Sequence, residues 1–228
     1  MTNLSQLTGT IIEIELSSKK SITGKLIESG TDILVIYDGK QYYYIPFTHI
    51  QFIKQSQSVS TETNYQKSNQ APINKDIKTI SFGQILNNAK GLFVDIYITG
   101  HQSLYGYITN ILNDYLVLYS PVYKNMLIPL SHLKWLIPYH MSQTPYSLDK
   151  PIISKTMENE MFADTFEDQL KKHIGSLVIF DLGEDAKKIG KLQDLILPIV
   201  ELITGSGETL YWNLNHLKSV QIVAKDIK

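Results

Sequence analysis

Gly175-Ser176-Leu177-Val178-Ile179-Phe180 opens a stretch that runs through Ile189-Gly190-Lys191-Leu192 and closes on His216-Leu217-Lys218-Ser219. Two earlier stretches follow the same course, with Gly9, Gly24 and His49-Ile50 in the first and Gly91, Gly106 and His132-Leu133 in the second. The second glycine always lies 15 residues after the first, and the His follows 25 or 26 residues later. A period of 82 to 84 residues overrides the one or two domains that 228 residues would otherwise suggest. The nine residues Gly9, Gly24, His49, Gly91, Gly106, His132, Gly175, Gly190 and His216 are therefore read as structural signatures of one unit written three times.

After each first glycine, alternate positions are apolar: Ile12, Ile14, Leu16; Val94, Ile96, Ile98; Val178, Phe180, Leu182. Period-two patterning predicts a strand with one buried face. The second glycine sits inside the next strand, where glycine normally weakens pairing, so its reuse predicts a sharp bend or close backbone approach, as small barrels require. A third strand is expected near Ile33–Ile36, Tyr115–Leu118 and Ile199–Leu202, and a fourth near Tyr42–Ile45, Met126–Ile128 and Leu210–Trp212. Pro46 and Pro129 should end or bulge the fourth strand, because proline cannot donate to a ladder. A fifth follows the His. Asp32 and Asp114 precede the third strand at one offset, but Pro198 takes that place in the last copy.

Phe82 and Phe166 lie nine residues before their first glycine, and Leu4, Leu86 and Leu170 lie five before. That spacing predicts a short helix ahead of each unit, with Ser81 and Thr165 as N-caps and only a stub at residues 3–8. The expected organisation is a barrel over 1–54, a polar linker over 55–78, a second barrel over 79–137, a linker over 138–161 and a third barrel over 162–223. A unit of about 50 to 60 residues is marginal alone, so the barrels are expected to pack together or to pair edge strands.

Composition narrows the function. The chain has 43% hydrophobic and 19% charged residues, a formal net charge of −1 and 14 Tyr. No overall field attracts nucleic acid or an anionic membrane. All 21 basic residues are Lys, so bidentate guanidinium readout is absent. Without cysteine there are no disulfides, thiolate zinc sites or cysteine nucleophiles. Neither a signal-peptide pattern nor a run of about 18 apolar residues is visible, so secretion and membrane spanning are not expected.

The three histidines could in principle gather around zinc. Equivalent positions in separate barrels lie apart, and an imidazole beside a tight turn can serve backbone groups, so no metal and no cofactor is expected. The carboxylate pairs Glu158 and Glu160, Glu167 and Asp168, and Glu184 and Asp185 fall in linker, helix surface or turn, and no nucleophile elbow or phosphate loop is present. No enzyme is expected. Tyr42, Tyr43, Tyr44, Trp135 and Trp212 could stack on bases, although aromatics alternating along strands more often serve a core or an interface.

A short helix, five bent strands and a glycine in the second strand resemble the Sm-like barrel, most clearly from Gly24-Lys25-Leu26 through Ile45-Pro46-Phe47-Thr48-His49-Ile50. Three fused copies closing on His49-Ile50, His132-Leu133-Lys134 and His216-Leu217-Lys218-Ser219 resemble the spore coat protein B family of Bacilli. The Gly-Gly-Pro-Glu turn typical of that family is replaced by Leu16-Ser17-Ser18, Thr99-Gly100-His101 and Leu182-Gly183-Glu184. The resemblance implies a mainly β protein of three tandem Sm-like barrels, each preceded by a short helix. It further implies a non-catalytic component of the spore coat, made in the mother-cell cytoplasm, with other spore coat proteins as partners and self-association through edge strands. The alternative is an Sm-like RNA-binding protein. Against it, Thr48, Ser131 and Asn215 stand where bacterial host factor proteins carry the Lys of a Tyr-Lys-His phrase, so nucleic acid is disfavoured.

Overall fold

The computed structural model describes residues 4–17, 19–56, 73, 79–98, 102–139, 146 and 161–225. The expected linkers, 55–78 and 138–161, lie largely outside the described residues. The protein is mainly β. The described residues form fifteen strands, β1 (Ile11–Leu16), β2 (Ser21–Ser29), β3 (Ile33–Tyr37), β4 (Tyr42–Pro46), β5 (Ile50–Gln55), β6 (Phe93–Ile98), β7 (Gln102–Ile111), β8 (Tyr115–Ser120), β9 (Lys124–Pro129), β10 (Leu133–Pro138), β11 (Ser176–Phe180), β12 (Ile189–Ile196), β13 (Ile199–Thr204), β14 (Thr209–Asn213) and β15 (Val220–Lys225). Two helices, α1 (Phe82–Ala89) and α2 (Phe166–Lys171), precede β6 and β11.

The chain forms two compact units, Met1–Tyr105 with Leu133–Asp149 and Gly106–His132 with Lys150–Lys228. In the first unit the strand order is β6-β10-β4-β3-β2-β1-β5, and in the second it is β14-β13-β12-β11-β15-β9-β8-β7. The middle sequence segment thus contributes strands to both units.

Local physics explains the elements. Along β1 the burial alternates, with Ile12, Ile14 and Leu16 inside. Ser81 caps α1 in a reciprocal capping box with Gln84, and Thr165 caps α2 by accepting from the Asp168 N–H. Gly9, Gly91 and Gly175 all adopt a positive φ, at 87°, 80° and 88°. The second glycines serve close approach: a Cβ on Gly24, Gly106 or Gly190 would lie 2.5, 2.5 or 2.2 Å from the carbonyl oxygen of Tyr37, Tyr119 or Ile203. The bend follows shortly after, where register shifts at Leu26/Glu28, Ile108/Asn110 and Leu192/Asp194 insert a bulge.

One expected strand stops early. Alternation runs the strand after Gly175 through Leu182, but β11 ends at Phe180, where Asp181 and Leu182 turn to φ of 48° and 61°. Asp181 is buried, pairs with the Lys188 ammonium at 2.8 Å and accepts from the Lys218 and Ser219 N–H groups at 2.7 and 3.2 Å. These bonds replace ladder pairing over Leu217–Ser219, so the last strand begins at Val220.

Each unit has its own core. Ile12, Ile14, Leu16, Leu26, Leu34, Ile36 and Ile45 pack with Tyr97, Trp135 and Ile137 in the first. Val178, Phe180, Leu192, Val200, Leu202 and Val220 pack with Tyr115, Val117, Leu127, Phe166 and Leu170 in the second. Residues of the middle segment complete both cores.

Candidate functional site: strand joints and free strand edges

Among the described residues, the polar geometry that repeats lies where one sequence segment meets the next. In the first unit β4 pairs antiparallel with β10, Tyr44 facing Leu136. In the second, β9 pairs antiparallel with β15, Leu127 facing Val220. The two registers are equivalent. Pro46, Pro129 and Asn213 oppose the first residue of β3, β8 and β13, Ile33, Tyr115 and Ile199. Counting back, Tyr44, Leu127 and Tyr211 share one position, while counting forward from His49, His132 and His216 aligns Ile53, Leu136 and Val220.

A latch accompanies each joint. Asp32 accepts the Phe82 N–H at 2.7 Å, and Asp114 accepts the Phe166 N–H at 2.8 Å. A carboxylate from one segment thus takes up an orphan N–H at the start of the following segment's helix. The Asp32, Asp114 and Pro198 carbonyls accept from Phe47, Leu130 and Leu214 N–H at 2.8 Å each, which identifies the three positions as equivalent. Sequence reasoning noted this Asp and its loss in the third copy, but not its partner.

Around the first joint, Trp135 stacks on Tyr97 with centroids 3.9 Å apart and planes 2° apart, and meets Tyr43 edge-on at 5.9 Å. The Lys20 ammonium sits 4.3 Å from the Tyr97 ring centroid. Lys134, 2% exposed, donates to the Ser17 hydroxyl at 2.9 Å, and burial pushes its ammonium pKa down. At the second joint Gln221 donates to the Tyr123 carbonyl at 2.7 Å. The Tyr115 hydroxyl donates to the Ala163 carbonyl, also at 2.7 Å.

Each signature His closes a short 3-10 turn. His132 Nε2 lies 3.0 Å from the Asn215 carbonyl oxygen, which can only accept, so that nitrogen carries hydrogen. Burial pushes its pKa down, opposed by the Asn215 bond and Asp181, while Lys218 and His216 lower it further. His49 Nδ1 lies 3.5 Å from the Ser17 hydroxyl. Among the described residues no group of three or more His, Asp or Glu side chains could hold a metal ion. No described helix is long and apolar enough to cross a membrane.

The five rings read from the sequence as candidates for stacking are buried or half-buried. Tyr44 and Trp135 are buried, while Tyr42, Tyr43 and Trp212 are half-buried. A second aromatic group joins Phe93 to Tyr139 at 5.3 Å and to Tyr146 at 6.1 Å. Beside it, burial raises the Asp95 carboxyl pKa against hydrogen bonds from Ser103 and Tyr105.

Among the described strands, β5 stands at one end of the first strand order and β14 at one end of the second. Tyr211 is 69% exposed, whereas Tyr44 and Leu127, its equivalents inside the joints, are 0% and 2% exposed. Phe52 is 43% exposed, whereas Trp135 and Ser219 are 4% and 0%. Tyr211 on β14 and Phe52 on β5 are thus exposed where the equivalent residues of the inner joints are buried.

Comparison with known proteins places these features in context. The family model described as the YwrJ third domain matches residues 165–220. The chain is 42% identical over 224 residues to the uncharacterized protein YwrJ of Bacillus subtilis (strain 168), covering 97% of this chain and 100% of that protein. It is 27% identical over 151 residues to spore coat protein B of the same organism, covering 65% of this chain and 37% of that protein.

Proposed function

The chain belongs to the YwrJ family, and on that premise we propose that it is a non-catalytic structural component of the bacterial spore coat. In this reading three Sm-like barrels, joined edge to edge, act as a scaffold for other spore coat proteins, after synthesis in the mother-cell cytoplasm. The observation that carries it is the similarity to spore coat protein B over 151 residues. The fate of the polar groups supports it: Asp32, Asp114, Lys134 and Asp181 are each engaged in holding segments together or fixing turns. A reaction site needs unlike groups converging on one space. Repeated joints instead extend a surface, and multivalent surfaces suit assembly. The burial of Tyr44 and Trp135 favours this scaffold over the RNA-binding alternative.

The test is genetic. A fluorescent fusion expressed from the native locus in a sporulating culture is expected at the spore periphery, and a deletion strain should lose proteins from coat extracts. Fluorescence spread through vegetative cells, with an unchanged coat profile, defeats the proposal. Filter binding with the purified protein discriminates the alternative, since salt-dependent micromolar retention of RNA would favour nucleic acid.

A further inference from the structure

We infer that the first joint binds a small inorganic oxyanion, with phosphate as its representative, between the Lys134 ammonium and the Ser17 hydroxyl. Both side chains belong to the first unit. The inference rests on their contacts and holds wherever in the cell the protein acts.

Strand geometry explains why a charge lies inside. β10 pairs with β6 through Leu133 on Ile98 and Trp135 on Tyr97, so Lys134 is the extra residue of a bulge. A bulge re-aims the side chain it carries. Leu133 and Trp135 are 0% and 4% exposed, and Lys134 between them is 2% exposed. At the same offset from the other two signature histidines, Gln51 is exposed and Lys218 half-buried. Full burial of this position is therefore particular to the middle segment, whose Lys reaches the turn after β1.

An ammonium has three donors and no acceptor. Ser17 takes one of them at 2.9 Å. The ion pairs among the described residues join Lys54 to Glu13, Lys171 to Glu167 and Asp168, and Lys188 to Asp181, and none of them includes Lys134. Asp181, a buried charge of the second unit, is answered more fully, by the Lys188 ammonium at 2.8 Å and by two backbone N–H groups at 2.7 and 3.2 Å. A buried charge is strongly unfavourable unless it is paired and hydrogen-bonded. Burial pushes the Lys134 pKa down, and an anion beside it favours the charged form.

The donors indicate the ligand. Ser17 accepts from Lys134 and keeps its own hydrogen to give, so one oxygen atom lying against both receives an ammonium and a hydroxyl hydrogen bond together. His49 Nδ1 lies 3.5 Å from the same hydroxyl. Lysine binds phosphate as a point charge, without the planar match that guanidinium needs. Ser17 is exposed, which gives an ion a way in past its hydroxyl. The enclosure of Lys134 favours a free ion over a phosphate carried on a larger molecule.

Inorganic phosphate is the probe. Calorimetric titration of the full chain at neutral pH and fixed ionic strength should show saturable binding at a single site. Lys134→Met should weaken it at least about tenfold, which corresponds to losing one hydrogen bond to a charged group. Ser17→Ala should weaken it less, since the charge remains. Lys54→Met, at a lysine 58% exposed, should leave it unaltered. Phosphate also stabilises folded proteins through exclusion from their surface, so the thermal readout is the difference between the parent and Lys134→Met. That difference should grow with phosphate and level off. Circular dichroism checks that Lys134→Met is folded, and Lys134→Gln takes its place if it is not. Titration without saturation, equal affinity in the parent and the Lys134 variant, or melting temperatures that rise in parallel would each overturn the proposal.

Discussion

Replacing Asp114 by Ala removes the acceptor that holds the Phe166 N–H at the start of α2 while leaving the Thr165 cap in place. The cost can be worked from the contact. Hydrogen bonds to charged groups contribute about 1.5 to 3 kcal/mol, and losing a helix cap about 0.5 to 2 kcal/mol. The Phe166 N–H is part-buried and the bond is 2.8 Å long, so a loss of about 1.5 kcal/mol is expected. With a urea m-value of roughly 1.5 to 3 kcal/mol/M, the midpoint of the second unit should fall by about 0.5 to 1 M. Trp212 lies in that unit and Trp135 in the other, so tryptophan emission in a Trp135→Phe background follows the affected unit alone. Amide exchange at Phe166 should quicken, because its protection depends on this carboxylate. Asp114→Asn keeps an acceptor without charge and should recover part of the loss. An unchanged midpoint together with unchanged exchange at Phe166 would refute the latch.

Other outcomes follow from single contacts. Gly106→Ala places a Cβ 2.5 Å from the Tyr119 carbonyl oxygen and should cost more than about 2 kcal/mol by thermal melting. Gly83→Ala, at an α1 position with nothing within 4 Å, should instead stabilise by about 0.5 to 1 kcal/mol. Ser17→Ala leaves the Lys134 ammonium without its hydroxyl acceptor and should cost about 1 to 3 kcal/mol, whereas Lys134→Met should be neutral or stabilising. His132 has a folded pKa below the usual 6.5, so the unfolded state binds more protons. Its contribution to stability is complete above that value and is lost as pH falls from 6.5 through the lowered pKa. His132→Gln should flatten this part of the pH–stability curve, measured by denaturation between pH 8 and 5 at fixed ionic strength.

What was legible in the sequence was local. Alternation marked Ile12, Ile14 and Leu16, and four-residue spacing with a Ser or Thr ahead marked α1 and α2. The recurrent glycines announced close approach because nothing else tolerates a carbonyl oxygen at 2.5 Å from a would-be Cβ. The latch was not legible. Asp32 and Phe82 are 50 residues apart, Asp114 and Phe166 52, and no periodicity couples them. Strand joints escape for a related reason: the bonds joining β4 to β10 are backbone bonds, on which composition is silent. Asp181 misled the period-two reading because alternation assumes a continuing strand. Its positive φ and its bond to Lys188 end the strand and bury a carboxylate at a position expected to face solvent.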